Sequence, residues 1–215
     1  MLKVRMRYEK TDTAAYVSHL DLMRIFRRAF TRAEVPLVYS QGFNPHPYFS
    51  VPLPLPTGFE SRCELLDFDT TWDVLPKDLL QRLNDALPAG VHGTELMPRT
   101  RNAGDIGFAG YCVKIYRSGI TPEEAASLFR EEQVLLEKRT KRGKKEDDVL
   151  RYIRSMEVSA EEDDCIRLDT VLAAGGESLN PEYLVKALEM YRNAAPWAVS
   201  YERTCILDTE GKAFA

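Results

Sequence analysis

Polar and apolar positions alternate from the first residues: Leu2, Val4, Met6 and Tyr8 fall on one side of an extended chain, Lys3, Arg5 and Arg7 on the other. A period of two predicts a half-buried strand over Lys3 to Glu9. The period then lengthens. Ser18, with Asp21 three residues on, is a helix start signal, and Leu22, Ile25, Phe26, Ala29, Phe30 and Ala33 recur at helical spacing up to a stop near Pro36. A short strand is predicted over about Pro36 to Ser40, a proline-rich loop over 40–61, and a strand over Cys63 to Asp69. Pro76 opens a helix with Leu79, Leu80, Leu83 and Leu87 on one side, and Val91 to Met97 closes the cycle as a strand.

The order βαββαβ then repeats. FAGYCVKIYRS reads as a strand, TPEEAASLFREE as a helix opened by Thr121 and Pro122, and QVLLEKRT as strand-like. CIRLDTVLAA is a further strand, NPEYLVKALEMYR a helix capped by Asn180, and AVSYERTCIL a last strand. The predicted fold is α+β: two tandem ferredoxin-like units with antiparallel sheets, each carrying its helices on one sheet face. The first unit spans 1–100 with the loop 40–61, the second 106–215 with a basic loop at 138–148. PRTRNAGD, of turn composition, links them.

Composition narrows the class without naming an activity. At 215 residues and 44% hydrophobic the chain can bury one large core or two small ones. No apolar run reaches the roughly 18 residues of a membrane span, and MLKVRMRYEK lacks the apolar core of a signal peptide, so a cytoplasmic protein is expected. Cys63, Cys112, Cys165 and Cys205 stand singly in apolar stretches and read as reduced core residues, with no pair spaced for a metal. The net charge of −4 is uneven. Residues 1–50 and 137–154 each hold eight Lys/Arg against four Asp/Glu, which leaves −12 for the rest. Local basic surfaces on an acidic body would meet a polyanion at specific places.

Three stretches carry candidate chemistry. On the first helix Arg24, Arg28 and Arg32 recur every fourth residue with Arg27 beside them, opposite the apolar stripe. Such a ridge can track a phosphate backbone, with Lys3, Arg5 and Arg7 as a second strip, or it can be an ordinary solvated face. Between Tyr39 and Ser61 lie five of the twelve prolines, with Tyr39, Gln41, Phe43, Asn44 and His46 among them. Prolines hold a loop in one shape, and rings can stack on a base. A recognition loop and a loop that merely covers one end of the sheet both fit. The third stretch is the cluster Lys138 to Lys145, with Lys141, Arg142, Lys144 and Lys145 as further candidates for binding nucleic acid, or else a solvated hairpin tip or flexible loop. His19 lines up with Met23, Phe26 and Phe30 at 100° per residue and is expected to look inward. A metal site from His19, His46 and His92 has no ligand spacing behind it.

The run YVSHLDLMRIFRRAFTRAEVPLVYSQGFNPHPYFSVPLPLPTGFESRCELLDF, with the later GKKEDDVLRYIRSMEV and GGESLNPEYLVKAL, resembles DUF2344, a family of uncharacterised domains associated with radical SAM enzymes. The resemblance implies a bacterial cytoplasmic protein working with a B12-binding-type radical SAM enzyme on a separate chain. The cluster-binding C-x3-C-x2-C loop of such enzymes has no counterpart here, so no cofactor is expected of this chain. Two functions follow as expectations. One is a non-catalytic partner that binds structured RNA, in tRNA or rRNA modification. The other, by analogy of fold alone, is a metal-independent RNA-processing enzyme with His19 and His46 as acid and base.

Overall fold

The computed structural model describes residues 1–140, 143–162 and 164–214, with backbone only at 139, 140 and 144. The chain divides into two compact units, Met1–Asp105 and Ile106–Ala215. Both mix helices with antiparallel sheet, four α-helices in all among the described residues.

Unit 1 runs β1 (Leu2–Lys10), α1 (His19–Arg32), β2 (Phe49–Ser50), β3 (Phe59–Thr70), α2 (Leu79–Ala86) and β4 (Val91–Pro98). Its sheet order is β4-β1-β3-β2, every pair antiparallel. The alternation in β1 sends Val4, Met6 and Tyr8 into a core shared with Leu22, Phe26 and Phe30 of α1 and Leu79 and Leu83 of α2. Tyr8 meets Phe26 edge-on at 5.0 Å between ring centres, and Phe30 lies 4.9 Å from Phe68. Each such ring is worth about 1.5–3 kcal/mol on full burial. The predicted strand over Pro36 to Ser40 is reduced to isolated bridges, Leu37 to Thr70 and Tyr39 to Pro47, and the strand beside β3 is Phe49–Ser50 instead. Pro36, Pro45 and Pro47 have no N–H to give a continuous ladder.

The other side of β1 departs further from expectation. Arg5 is buried: its Nε and Nη2 donate to the Asp67 carboxylate at 2.7 and 2.9 Å, and Nη2 also reaches the Arg101 carbonyl at 3.0 Å. Arg7 pairs with Glu95 at 3.4 Å. Arg5 and Arg7 are therefore engaged, and of the expected basic strip only Lys3 is left as an exposed cation. β3 brings Asp67 opposite Arg5 in register, and a desolvated guanidinium must be paired.

Unit 2 runs β5 (Ile106–Tyr116), α3 (Pro122–Leu128), β6 (Leu135–Thr140), β7 (Gly143–Asp148), β8 (Ile153–Glu161), β9 (Cys165–Ala173), α4 (Glu182–Arg192) and β10 (Ala198–Asp208). Its main sheet is β10-β5-β9-β8, again antiparallel. QVLLEKRT does not enter that sheet. Among the described residues its strand β6 pairs only with β7, and the sheet's outer strand is β8, which no sequence signal predicts. The side chains of β8 are mostly half-buried or exposed, so no apolar alternation announces it. Thr121 and Glu124 form a reciprocal capping box on α3, and the Asn180 Oδ1 accepts the Glu182 N–H at the start of α4. All four cysteines are free thiols, Cys112 and Cys165 buried, and burial pushes the Cys112 thiol up. No helix is long and apolar enough to cross a membrane among the described residues.

Candidate nucleic-acid interface

The helix α1 is amphipathic because its apolar residues recur every third or fourth position, and packing that stripe turns the arginines outward. The Ser18 hydroxyl accepts the Asp21 N–H at 3.2 Å and donates to the Asp21 carboxylate at 2.7 Å. That bond, with Arg24 at 2.7 Å, holds the Asp21 carboxyl below its ordinary range. Arg24 is thus tied to a carboxylate on its own helix. Arg27, Arg28 and Arg32 are exposed and make no ion pair among the described residues.

The proline-rich stretch has two halves with different tasks. Val51, Leu55 and Phe59 are buried and pack on the unit, which is the covering role. Residues 40–46 instead form a closed, protruding turn. The Ser40 N–H donates to the His46 carbonyl at 2.9 Å, and the His46 N–H donates to the Ser40 Oγ at 3.0 Å. Ser40 Oγ also lies 2.9 Å from the His46 Nδ1. The His46 Nδ1 also lies 3.4 Å from the Asn44 carbonyl, so the ring is tied into the turn on that side. Gly42, at φ +126°, supplies a backbone conformation that side chains disfavour. Gln41 and Asn44 are exposed, and Phe43 stands wholly in solvent at 112% relative exposure. Tyr39 and Tyr48 are about half exposed, with the Tyr48 ring 6.3 Å from the His46 ring.

Helix and turn meet in a groove of about 390 Å³. Leu20, Met23, Pro47 and Phe49 give it an apolar floor, and Arg24, Arg27 and His46 supply its polar groups. Of the residues picked out from sequence, Arg24, Arg27 and His46 are brought together here. The floor was not anticipated, although Leu20, Met23, Arg24 and Arg27 follow i, i+3, i+4, i+7 and so had to share one helix edge.

Other expected residues fall elsewhere. His19 is exposed rather than inward-facing, because the first turn of α1 is not covered by the core that begins at Leu22, and it does not line the groove. His92 is exposed, and no group of three or more metal-ligating side chains occurs among the described residues. In the basic cluster, Lys141 and Arg142 lie outside the described residues, as does the side chain of Lys144, while Lys145 is exposed. Lys138 is engaged: its Nζ donates to the Ser178 carbonyl at 2.6 Å and sits 3.8 Å from the centre of the Tyr152 ring, and burial lowers its pKa.

A mixed α+β protein with a cationic helix beside a rigid aromatic turn is the class that these features define. The chain belongs to the DUF2344 family, described as an uncharacterised protein conserved in bacteria, whose model matches residues 3–181. A search of curated proteins finds no relative. Among solved structures, a chain of a Cbf5-Nop10-Gar1 complex is similar at 7% identity and a TM-score of 0.54, over 94% of this chain and 48% of that one. This chain thus spans about half the length of that structure, and the likeness is one of fold. An unknown protein from Galdieria sulphuraria (12% identity, TM-score 0.25, 94% and 98% covered) and a glycine cleavage system transcriptional repressor, so described as putative, (9%, 0.25, 94% and 97%) are more distant.

Proposed function

We propose that the protein is a non-catalytic, RNA-binding accessory of a radical SAM enzyme carried on a separate chain, acting on structured RNA in the bacterial cytoplasm, in tRNA or rRNA modification. The observation that carries the RNA reading is the row Arg27, Arg28 and Arg32: three exposed guanidiniums on one helix with no carboxylate partner among the described residues. Guanidinium matches phosphate geometry, and an unpaired row keeps its full field for a polyanion. The radical SAM partner rests on the family resemblance alone. We read each unit as ferredoxin-like, supported by the shared strand order with the first strand and the penultimate one at the centre, and with β6–β7 inserted in unit 2.

The test is recovery of the tagged protein from a bacterial lysate, with RNA and co-purifying protein both sequenced. Enrichment of a tRNA or rRNA species together with a radical SAM protein is expected, and loss of the RNA in the Arg27→Ala, Arg28→Ala, Arg32→Ala variant. A co-purifying protein with no RNA would overturn the RNA reading. Site-specific cleavage of RNA by the purified protein without divalent metal, abolished in His46→Ala, would replace it by the processing-enzyme reading.

A further inference from the structure

We propose that the groove between α1 and the 40–46 turn holds one unpaired nucleotide of an RNA chain, with its phosphate on Arg27, its base against the apolar floor, and a neighbouring base stacked on Phe43. This rests on the RNA reading above and specifies which RNA feature the site takes.

The chemistry of the lining makes the choice. The groove's polar side chains are the Arg24 and Arg27 guanidiniums, which only donate, and the His46 ring. No side chain lining it is a carboxylate, amide or hydroxyl acceptor. A peptide laid there would bring backbone N–H groups with no side-chain acceptor beyond the His46 ring to meet them, and each buried unpaired donor costs about 1–3 kcal/mol. A nucleotide brings acceptors on phosphate, ribose and base edge. An inorganic phosphate would use Arg27 but leave Leu20, Met23 and Phe49 unused, whereas a base covers them. The volume lies within the range of about 300–1,000 Å³ typical of small-molecule sites.

Phe43 adds an independent observation. It is fully exposed on a turn whose ends are tied by Ser40–His46 bonds, so a ring offered there loses little freedom on stacking. In a paired duplex every base face is already stacked, so a duplex could engage the arginine row but not the ring or the floor. A duplex carries the denser charge and would win if electrostatics alone decided.

The experiment measures fluorescence anisotropy with a labelled single-stranded RNA of about 12 nucleotides, alone and annealed to its complement, for the wild type, Phe43→Ala and Arg27→Ala. The single strand is expected to bind at least about 5-fold tighter than the duplex. Phe43→Ala should weaken the single strand by about 5- to 150-fold, the alanine cost of one stacked base, and leave duplex binding unchanged. Arg27→Ala should weaken both and lower the salt slope by about one. Equal binding of both RNAs with the Arg27 effect intact would overturn the unpaired-nucleotide site while leaving the RNA reading standing. No binding of either RNA would remove both. Free uridine and adenosine monophosphates competing as well as the strand would overturn the claim that the nucleotide belongs to a chain. Because Phe43 packs on nothing, its alanine variant keeps the fold, and an unchanged affinity would count directly against the proposal.

Discussion

The two units share a strand order and differ at the same point in it, between the first helix and the second strand of the main sheet. Unit 1 places there the proline-rich turn, and unit 2 places the β6–β7 hairpin. Their first helices differ as well. α1 has 14 residues and presents Arg27, Arg28 and Arg32 without ion-pair partners among the described residues; α3 has seven, with two acidic residues, Glu123 and Glu124, in its first turn against one, Asp21, in α1. The contrast lies less in the number of cations than in their company. In unit 2 Lys114 and Arg167 share Glu161 at 2.6 and 3.0 Å, Arg167 also meets Asp169 at 2.5 Å, and Arg151 meets Asp147 at 3.3 Å. Exposed pairs of this kind add only about 0–1 kcal/mol of stability each, but they cancel the field that a phosphate would feel. On α1 the row Arg27, Arg28 and Arg32 has no such pair among the described residues.

The largest effect that would sharpen this contrast comes from breaking a buried pair. Arg5→Ala leaves Asp67 unpaired at 6% side-chain exposure and should cost about 3–5 kcal/mol in urea unfolding. A loss under about 1 kcal/mol would show that the pair contributes little. Next, the combined Arg27→Ala, Arg28→Ala, Arg32→Ala variant should change stability by no more than about 0.5 kcal/mol, as surface changes do, yet lower the salt slope of RNA binding by about three. An unchanged slope would return α1 to an ordinary solvated face. In unit 2 the Arg151→Ala variant should leave RNA binding at the wild-type level in the same assay, since its charge is already met by Asp147 and Glu177. A drop like that of the α1 variant would break the comparison.

The smallest effect is in the acid limb. Asp147 accepts the Tyr152 hydroxyl at 2.6 Å, a bond that holds its carboxyl below the ordinary range and pushes the Tyr152 phenol up to about 12. Glu161 is held low by Lys114 and Arg167. A carboxyl whose folded pKa is depressed stabilises in full above its unfolded value and loses that contribution as pH falls through the folded one. Stability should therefore decline below the ordinary carboxylate range, and Tyr152→Phe should raise the pH at which circular dichroism records acid unfolding. An unmoved acid limb would mean that the Tyr152–Asp147 bond has no part in it.

How much of this was legible depends on whether the deciding contact was local. The period of two in β1, the Ser18 cap and apolar stripe of α1, and the Thr121–Glu124 box of α3 all act within a few residues, and all can be read along the chain. The outward row of arginines followed from the same helical period. β8 was not legible, because a half-exposed outer strand has neither a buried face nor alternation to betray it. The fate of Arg5 was not legible either: alternation placed it on the second face of β1, but only the pairing with β3, 62 residues on, set Asp67 against it and buried both. His19 fitted the periodic stripe, yet periodicity gives a direction and not a neighbour, and the core begins one turn later, at Leu22. The groove is the clearest division of labour. Its arginines and apolar helix edge are properties of α1 alone, whereas the meeting of that edge with His46, Pro47 and Phe49 exists because β2 docks on β3 and Ser40 closes the turn, contacts between residues that no local period connects.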